Sequence, residues 1–302
     1  MAMNRTQFAR LLQMGLNTVW GLEYANFAEE WKQVFKVESS KKSFEEDQLV
    51  TGFGAAQIKS EGAAFAYDEA MEAWTSRYDH KTIALGFKIS QELIEDNLYM
   101  ATSAKYARAL ARSMQHTREI YGAAVLNNGY GTFLIGDGQA LFSASHPLAG
   151  GGTGSNLLAT PADISEQSIE DLLVQIRKTK DDRGIPVALK PTDIIIPPDL
   201  EFIASRLLDS TLRTNTADND INAINKKGIF GRDPVIVTRL TDTNAWFIKT
   251  DAIDGLKSFD RIPVQTKFDE DFNTGDYRFK SRQRYSFGAT DWRGIFGSSG
   301  AS

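Results

Sequence analysis

Cysteine is absent from this 302-residue chain. That excludes disulfide stapling, thiol catalysis and Cys-based zinc sites. Histidine is scarce: His80, His116 and His146 are the only three, and no HExxH-type spacing links them. A metal site would therefore need carboxylates brought from far apart in the chain. Long hydrophobic runs are missing too. The N-terminal apolar stretches are broken by Arg10, Gln13 and Asn17, so no signal peptide or membrane span is visible. There is no basic excess either. A formal net charge of −5 argues against a dedicated nucleic-acid binder, although not against a protein that merely encloses nucleic acid.

What is present is ordinary in bulk. Hydrophobic content of 42% and charged content of 24% suit a soluble globular chain long enough for one large domain or two.

The motifs that invite a chemical reading fall short. Gly150-Gly-Gly-Thr-Gly-Ser155 lacks the Lys-Ser/Thr pair of a phosphate loop, and Gly136-Asp-Gly138 lacks the third glycine of a dinucleotide fingerprint. His146, between Ser145 and Pro147, is the best chemical candidate, but no GxSxG elbow surrounds a serine. Its plainer reading is a turn whose imidazole bonds local backbone. No catalytic, cofactor or metal residues are assigned, and no cofactor is expected.

Periodicity orders the chain. Phe8, Leu11, Leu12, Leu16, Val19 and Trp20 recur at helical spacing, and a second helical piece is read over Tyr24 to Val37. From Ser39 to Ala84, Gly52, Gly54 and Gly62 interrupt a β-prone stretch with few large aliphatics. It reads as a long β-hairpin or extended excursion with a loose tip near Lys59 to Gly62, marginal without a partner surface. A helix is expected from Ser90 to about Leu126. It would carry a stripe of Leu93, Asn97, Ala101, Ala104, Ala107, Ala111, Met114 and Tyr121.

Asp163-Ile-Ser-Glu166 has the form of a capping box for a helix reaching Lys180. Strands are expected at Thr192 to Ile196, Val235 to Leu240 and Ala245 to Thr250, with a helix over Leu200 to Leu208 and an exposed loop over Thr211 to Lys227. Near the end, Tyr277, Phe279, Tyr285 and Phe287 alternate with Arg278, Lys280, Arg282 and Arg284, a strand with one aromatic and one basic face. The basic face is read as solvated, as a subunit contact, or as a DNA contact.

Four segments, in order, resemble the Mu-like major head subunit family of tailed-bacteriophage capsid proteins. They are FEEDQLVTGFGAAQIKSEGAAFAYDEAMEAWTSRYDHKTIALGFKIS with QELIEDNLY, the long helix, DGQALFSASHPLAGGGTGSNLL, and the closing YRFKSRQRYSFGATDWRGIFGSSGA. The resemblance implies an α+β fold of the Hong Kong 97 type. Its parts would be an N-terminal arm (1–43), an extended loop (44–86), a peripheral domain with the spine helix (87–159 and 256–302) and an axial domain (160–255).

It also implies a major head protein that assembles with itself into hexamers and pentamers of an icosahedral shell around double-stranded DNA. Such a shell forms in the host bacterial cytoplasm and becomes the virion. A portal protein is an expected partner, with a decoration protein as an optional one. Because the arm begins within a few residues of Met1, scaffolding is expected from a separate protein. Phe53, Phe65, Tyr67 and Trp74 are the expected inter-subunit anchors, since an under-packed arm gains apolar burial only on assembly. The alternatives are an encapsulin-type nanocompartment shell, which would hold protein cargo, and an enzyme of unrelated fold. The latter would need a convergent polar cluster that the sequence does not supply.

Overall fold

The computed structural model describes residues 5–62, 64–90, 92, 99–212, 220–231, 233–271 and 274–301. Elements are numbered in chain order. Two four-stranded sheets and two packed cores organise the chain.

The first sheet runs in the order β1 (Lys36–Ser39), β10 (Leu256–Glu270), β11 (Tyr277–Ala289), β4 (Lys81–Ile89). The β1–β10 pair is parallel and the other two pairs are antiparallel. One face is covered by α1 (Arg5–Ala25) and α3 (Tyr99–Asn127). Leu16 and Trp20 of α1, Ala107, Leu110, Ala111 and Met114 of α3, and Ile89 and Phe279 of the sheet form one buried cluster. The alanines let helix and sheet approach closely, because a longer side chain there would push the layers apart. Ala107 and Ala111 are fully buried and Ala104 is half-buried. The side chains of Leu93, Asn97 and Ala101, and those of Phe8, Leu11 and Leu12 in α1, lie outside the described residues, as does most of the expected first turn after Ser90.

The second sheet has the order β12 (Ile295–Ser298), β9 (Trp246–Thr250), β7 (Pro191–Ile196), β8 (Val235–Ile236). Ile194, Ile195 and Ile196 are fully buried. Helix α4 (Glu166–Lys178) covers the sheet with Ile169, Leu172, Leu173 and Ile176. Helix α5 (Glu201–Asp209) adds Ala204 and Leu208. The end of α3 and the short helix α2 (Trp31–Val34) join this second core through Val125, Leu126, Trp31 and Val34. Helix α3 therefore belongs to both cores.

Several expectations need correction. The helix read over Tyr24 to Val37 is only the single turn α2, and Val37 lies in β1. A backbone partner on β10 outcompetes local helical periodicity there. The expected hairpin over residues 44–86 is divided. Strand β2 (Phe44–Val50) pairs with β3 (Glu72–Asp79), while β4 has left the hairpin for the first sheet. The chain turns between them at His80, whose ring nitrogens lie 3.0 Å from Ser40 Oγ and 3.0 Å from Ser286 Oγ.

The capping box sits two residues later than expected: Ser165 is the cap and exchanges bonds with Ser168. Asp163 instead accepts from the Ala301 backbone. Strand β8 covers only two residues of the span Val235 to Leu240. The loop expected over Thr211 to Lys227 contains helix α6 (Ala223–Lys227), capped by Asn222; residues 213–219 lie outside the described set. Finally, residues 256–302, expected as one peripheral segment, are shared: β10 and β11 lie in the first sheet and β12 in the second. The crossing is made where Gly294 packs directly on Gly255.

Candidate functional site

Beyond β2, residues 52–70 form no regular strand, and every described one except Gly54 is exposed. The neck is closed at Thr51, whose N–H and hydroxyl donate to Met71 O at 2.9 and 3.0 Å and whose Oγ1 accepts from Met71 N. Past it the apolar side chains have no cover: Phe53 is 62% exposed, Phe65 72%, Tyr67 95% and Ile58 wholly so. Trp74, in β3 below the neck, is half-buried, and its indole N–H is buried without a partner among the described residues. Three of the four expected anchors thus lie together on the open loop; Trp74 lies at its base. One clasp holds the loop to the body. Asp68 pairs with Arg183 and accepts from Gly54 N at 2.6 Å, and these bonds, the Arg183 one first, hold its carboxyl down at about 2.

The base of the hairpin is anchored by buried polar groups. Asp47 accepts from Thr290 Oγ1 (2.6 Å) and pairs with Lys257, whose ammonium also meets Asp254 at 2.8 Å. Tyr78, 2% exposed, places its hydroxyl 2.6 Å from Thr290, and burial pushes its phenol up. Gly288 makes room for that ring: a Cβ there would lie 2.5 Å from the Tyr78 side chain. These groups are spread over more than 200 positions, and nothing local in the sequence marks them. A rigid base carrying an open tip is the resulting geometry.

The basic face of β11 forms as the alternation requires. Tyr277, Phe279 and Tyr285 are buried, and Arg278, Lys280 and Arg282 are exposed. Arg278 pairs with Asp271, Lys88 with Asp276 (3.2 Å) and Lys267 with Asp269 (3.7 Å). Arg284 donates to the carbonyls of Ser43 and His80. Lys280 and Arg282 have no ion-pair partner among the described residues. They border an open groove of about 780 Å³ with Ala84, Gln265 and Lys267.

The glycine-rich segment holds a buried knot. His146 is fully buried and stacks on Trp292, with centroids 4.9 Å apart and planes 2° from parallel. Its Nδ1 lies 2.6 Å from Asp137 Oδ2 and its Nε2 3.2 Å from Asn156 Oδ1. The Asn156 amide nitrogen donates to the carbonyls of Leu141, Trp292 and Ile295. Its oxygen is therefore the acceptor, and Nε2 carries a proton. Gly154 packs against the same indole, where a Cβ would lie 2.5 Å from the ring. His146 thus bonds side chains in a core, where the sequence suggested local backbone. Among the described residues no His, Cys, Asp and Glu cluster could hold a metal, and no helix is long and apolar enough to cross a membrane.

A family model described as phage capsid protein matches residues 72–297. No curated protein sequence matches the chain. Among solved structures, the capsid of an empty GTA particle is similar with a TM-score of 0.57 at 14% identity, covering 91% of this chain and 90% of that one. The procapsid of bacteriophage JBD30 gives 0.51 at 15% identity, covering 99% and 77%. A virus-like particle from Pyrococcus furiosus gives 0.52 at 12% identity, covering 94% and 98%. At such identities the likeness is one of fold, the Hong Kong 97-type α+β fold expected above.

Proposed function

The chain belongs to the phage capsid protein family, matched over 72–297, and from that premise we propose that it is the major head protein of a tailed phage. Copies of it form hexamers and pentamers that close into an icosahedral shell around double-stranded DNA. A portal and a separate scaffolding protein complete the assembly in the host bacterial cytoplasm. The first sheet with α1 and α3 is the peripheral domain, and the second sheet, with β12 included, is the axial domain.

One observation carries the assembly reading: Phe53, Ile58, Phe65 and Tyr67 stand exposed on a loop whose base is fixed by buried polar bonds. Isolated apolar side chains on a surface are common, but four on one uncovered loop mark an association surface. Their burial against a second copy would remove apolar area from water only on assembly. Each large side chain fully buried is worth about 1.5–3 kcal/mol, and the cost of ordering the loop and joining two copies offsets much of that gain, so the net contact is modest per subunit and strong when repeated around a shell. Many weak contacts allow misplaced subunits to leave before closure.

The basic strand face, with Lys280 and Arg282 unpaired among the described residues, is a second contact surface, toward a neighbouring subunit or the enclosed DNA. The nanocompartment alternative has the likeness to the Pyrococcus furiosus particle behind it, but the family match favours the phage reading.

Electron microscopy and sedimentation of the purified full-length chain, with its scaffolding partner supplied if needed, test the proposal. Closed icosahedral particles are expected. Persistent monomers under all such conditions would contradict it, and phage-derived particles holding protein cargo in place of DNA would point to the nanocompartment.

A further inference from the structure

Beyond its base, the open loop is joined to the body through Asp68 and Arg183. On the body side, Arg183 sits in a turn that is fixed from several directions. Asp181 Oδ1 accepts from Arg183 N and from Ile185 N, both at 2.8 Å, and Gly184 closes the turn with a φ of +83°. Asp182 is buried beside it and pairs with the equally buried Arg293 at 3.3 Å. The Asp182 carbonyl accepts from Gly150 N at 3.0 Å, and a Cβ at Gly150 would lie 2.2 Å from that oxygen. The two neighbouring carboxylates are thus committed, Asp181 to the turn and Asp182 to the core. The Arg183 side chain, 20% exposed, reaches out to the loop.

On the loop side, one carboxylate gathers both halves of the loop. Asp68 Oδ1 accepts from Arg183 and from Glu69 N at 3.0 Å, while Oδ2 accepts from Gly54 N at 2.6 Å. A Cβ at Gly54 would lie 3.1 Å from Asp68 Oδ2, so the close approach suits glycine. The bond between Gly54 and Asp68 closes a compact surface loop at its neck. Lys59 adds an internal contact, its ammonium 4.9 Å from the centre of the Phe65 ring. Phe53, Ile58, Phe65 and Tyr67 all stay exposed in this clasped arrangement. The clasp therefore displays the apolar side chains; it does not cover them.

We infer that Asp68 and Arg183 are a positioning pair, which fixes the direction of the loop on the free chain so that its apolar side chains meet a second copy already in place.

The inference rests on the assembly reading proposed above and adds to it the residues that aim the loop. A loop free to swing must be ordered during association, and that ordering opposes the contact. A loop already aimed carries less of the penalty. Ion pairs near a surface are weak when two flexible side chains must both be immobilised. Here one partner stands on a turn tied to the core, and the other also accepts two backbone N–H groups, so less freedom is lost when they meet. The pairing with Arg183 first, and the Gly54 bond second, hold the Asp68 carboxyl down at about 2, so the pair is charged throughout the neutral range.

A spin-label distance in the unassembled full-length chain tests the aim directly. The chain has no cysteine, so nitroxides on Ser60→Cys in the loop and Lys178→Cys at the end of α4 report a single distance. Its distribution should be narrow with the clasp intact and should broaden in Asp68→Ala and Arg183→Ala. Asp68→Asn keeps an acceptor for Gly54 and removes only the charge; it should broaden the distribution as Arg183→Ala does. A distribution as broad in the wild type as in the variants would overturn the inference. In assembly, each single Ala variant should raise the protein concentration needed for shells by about threefold to fivefold, toward the upper end for such a pair. The double variant should match Asp68→Ala. Unchanged thresholds, or effects that multiply in the double variant, would also overturn it. A wild-type chain that forms no shells would count against the proposed function alone, because the distance still decides whether the clasp aims the loop.

Discussion

At the scale of single residues, Asn156 shows how a polar side chain can specify a fold without doing chemistry. It is fully buried, donates to three carbonyls and accepts from Ser143 N and His146 Nε2. Removing it strands several buried groups at once, and each buried group left without a partner costs about 1–3 kcal/mol. Asn156→Ala should therefore destabilise the chain by at least about 3 kcal/mol, measured by urea unfolding. A loss below about 1 kcal/mol would mean that water reaches those carbonyls. The sequence picked His146, between two glycine motifs, as its best chemical candidate. It could not disclose Asp137 and Trp292 as the partners of that ring, because Trp292 lies far along the chain and meets it only in the folded molecule. The same holds for Glu119, an unremarkable glutamate in a helical pattern until a separate helix is docked on it.

Among elements, α3 was the most legible, because a 29-residue helix covering about 43 Å repeats its pattern many times. Ala107 and Ala111 face the sheet as the stripe required. Ala107→Leu should overpack that contact and cost about 1–3 kcal/mol, read as a lower urea midpoint; an unchanged midpoint would show slack between helix and sheet. Strand β11 was equally legible, since one buried face alternates with one basic face. Strand β10 was not. Its first residues, Leu256–Phe259, are buried on both faces, whereas Val264 and Phe268 pack inward opposite exposed Lys267 and Asp269. Pro263 and two register shifts separate the halves, so no single period runs through it. Strand β1 hid in a helical pattern for a related reason: its pairing partner lies more than 200 residues away.

For the whole molecule, the fold class followed from a resemblance across four segments, and composition or periodicity could not have supplied it. What the residues themselves gave was the contrast between a stretch unable to bury itself and a body that can. That contrast is the basis of the assembly account, in which the loop is a clamp between copies and contributes little to its own core. The most direct test replaces residues 54–68 with a two-residue Asn-Gly turn, keeping Thr51, Met71 and the β2–β3 base intact. Sedimentation and thermal unfolding are then compared with the wild type. The account predicts a folded body, unfolding within a few degrees of the unassembled wild-type chain, that sediments as monomers or small capsomers and never as closed shells. Closed shells from the shortened chain would contradict it, as would a body that no longer folds.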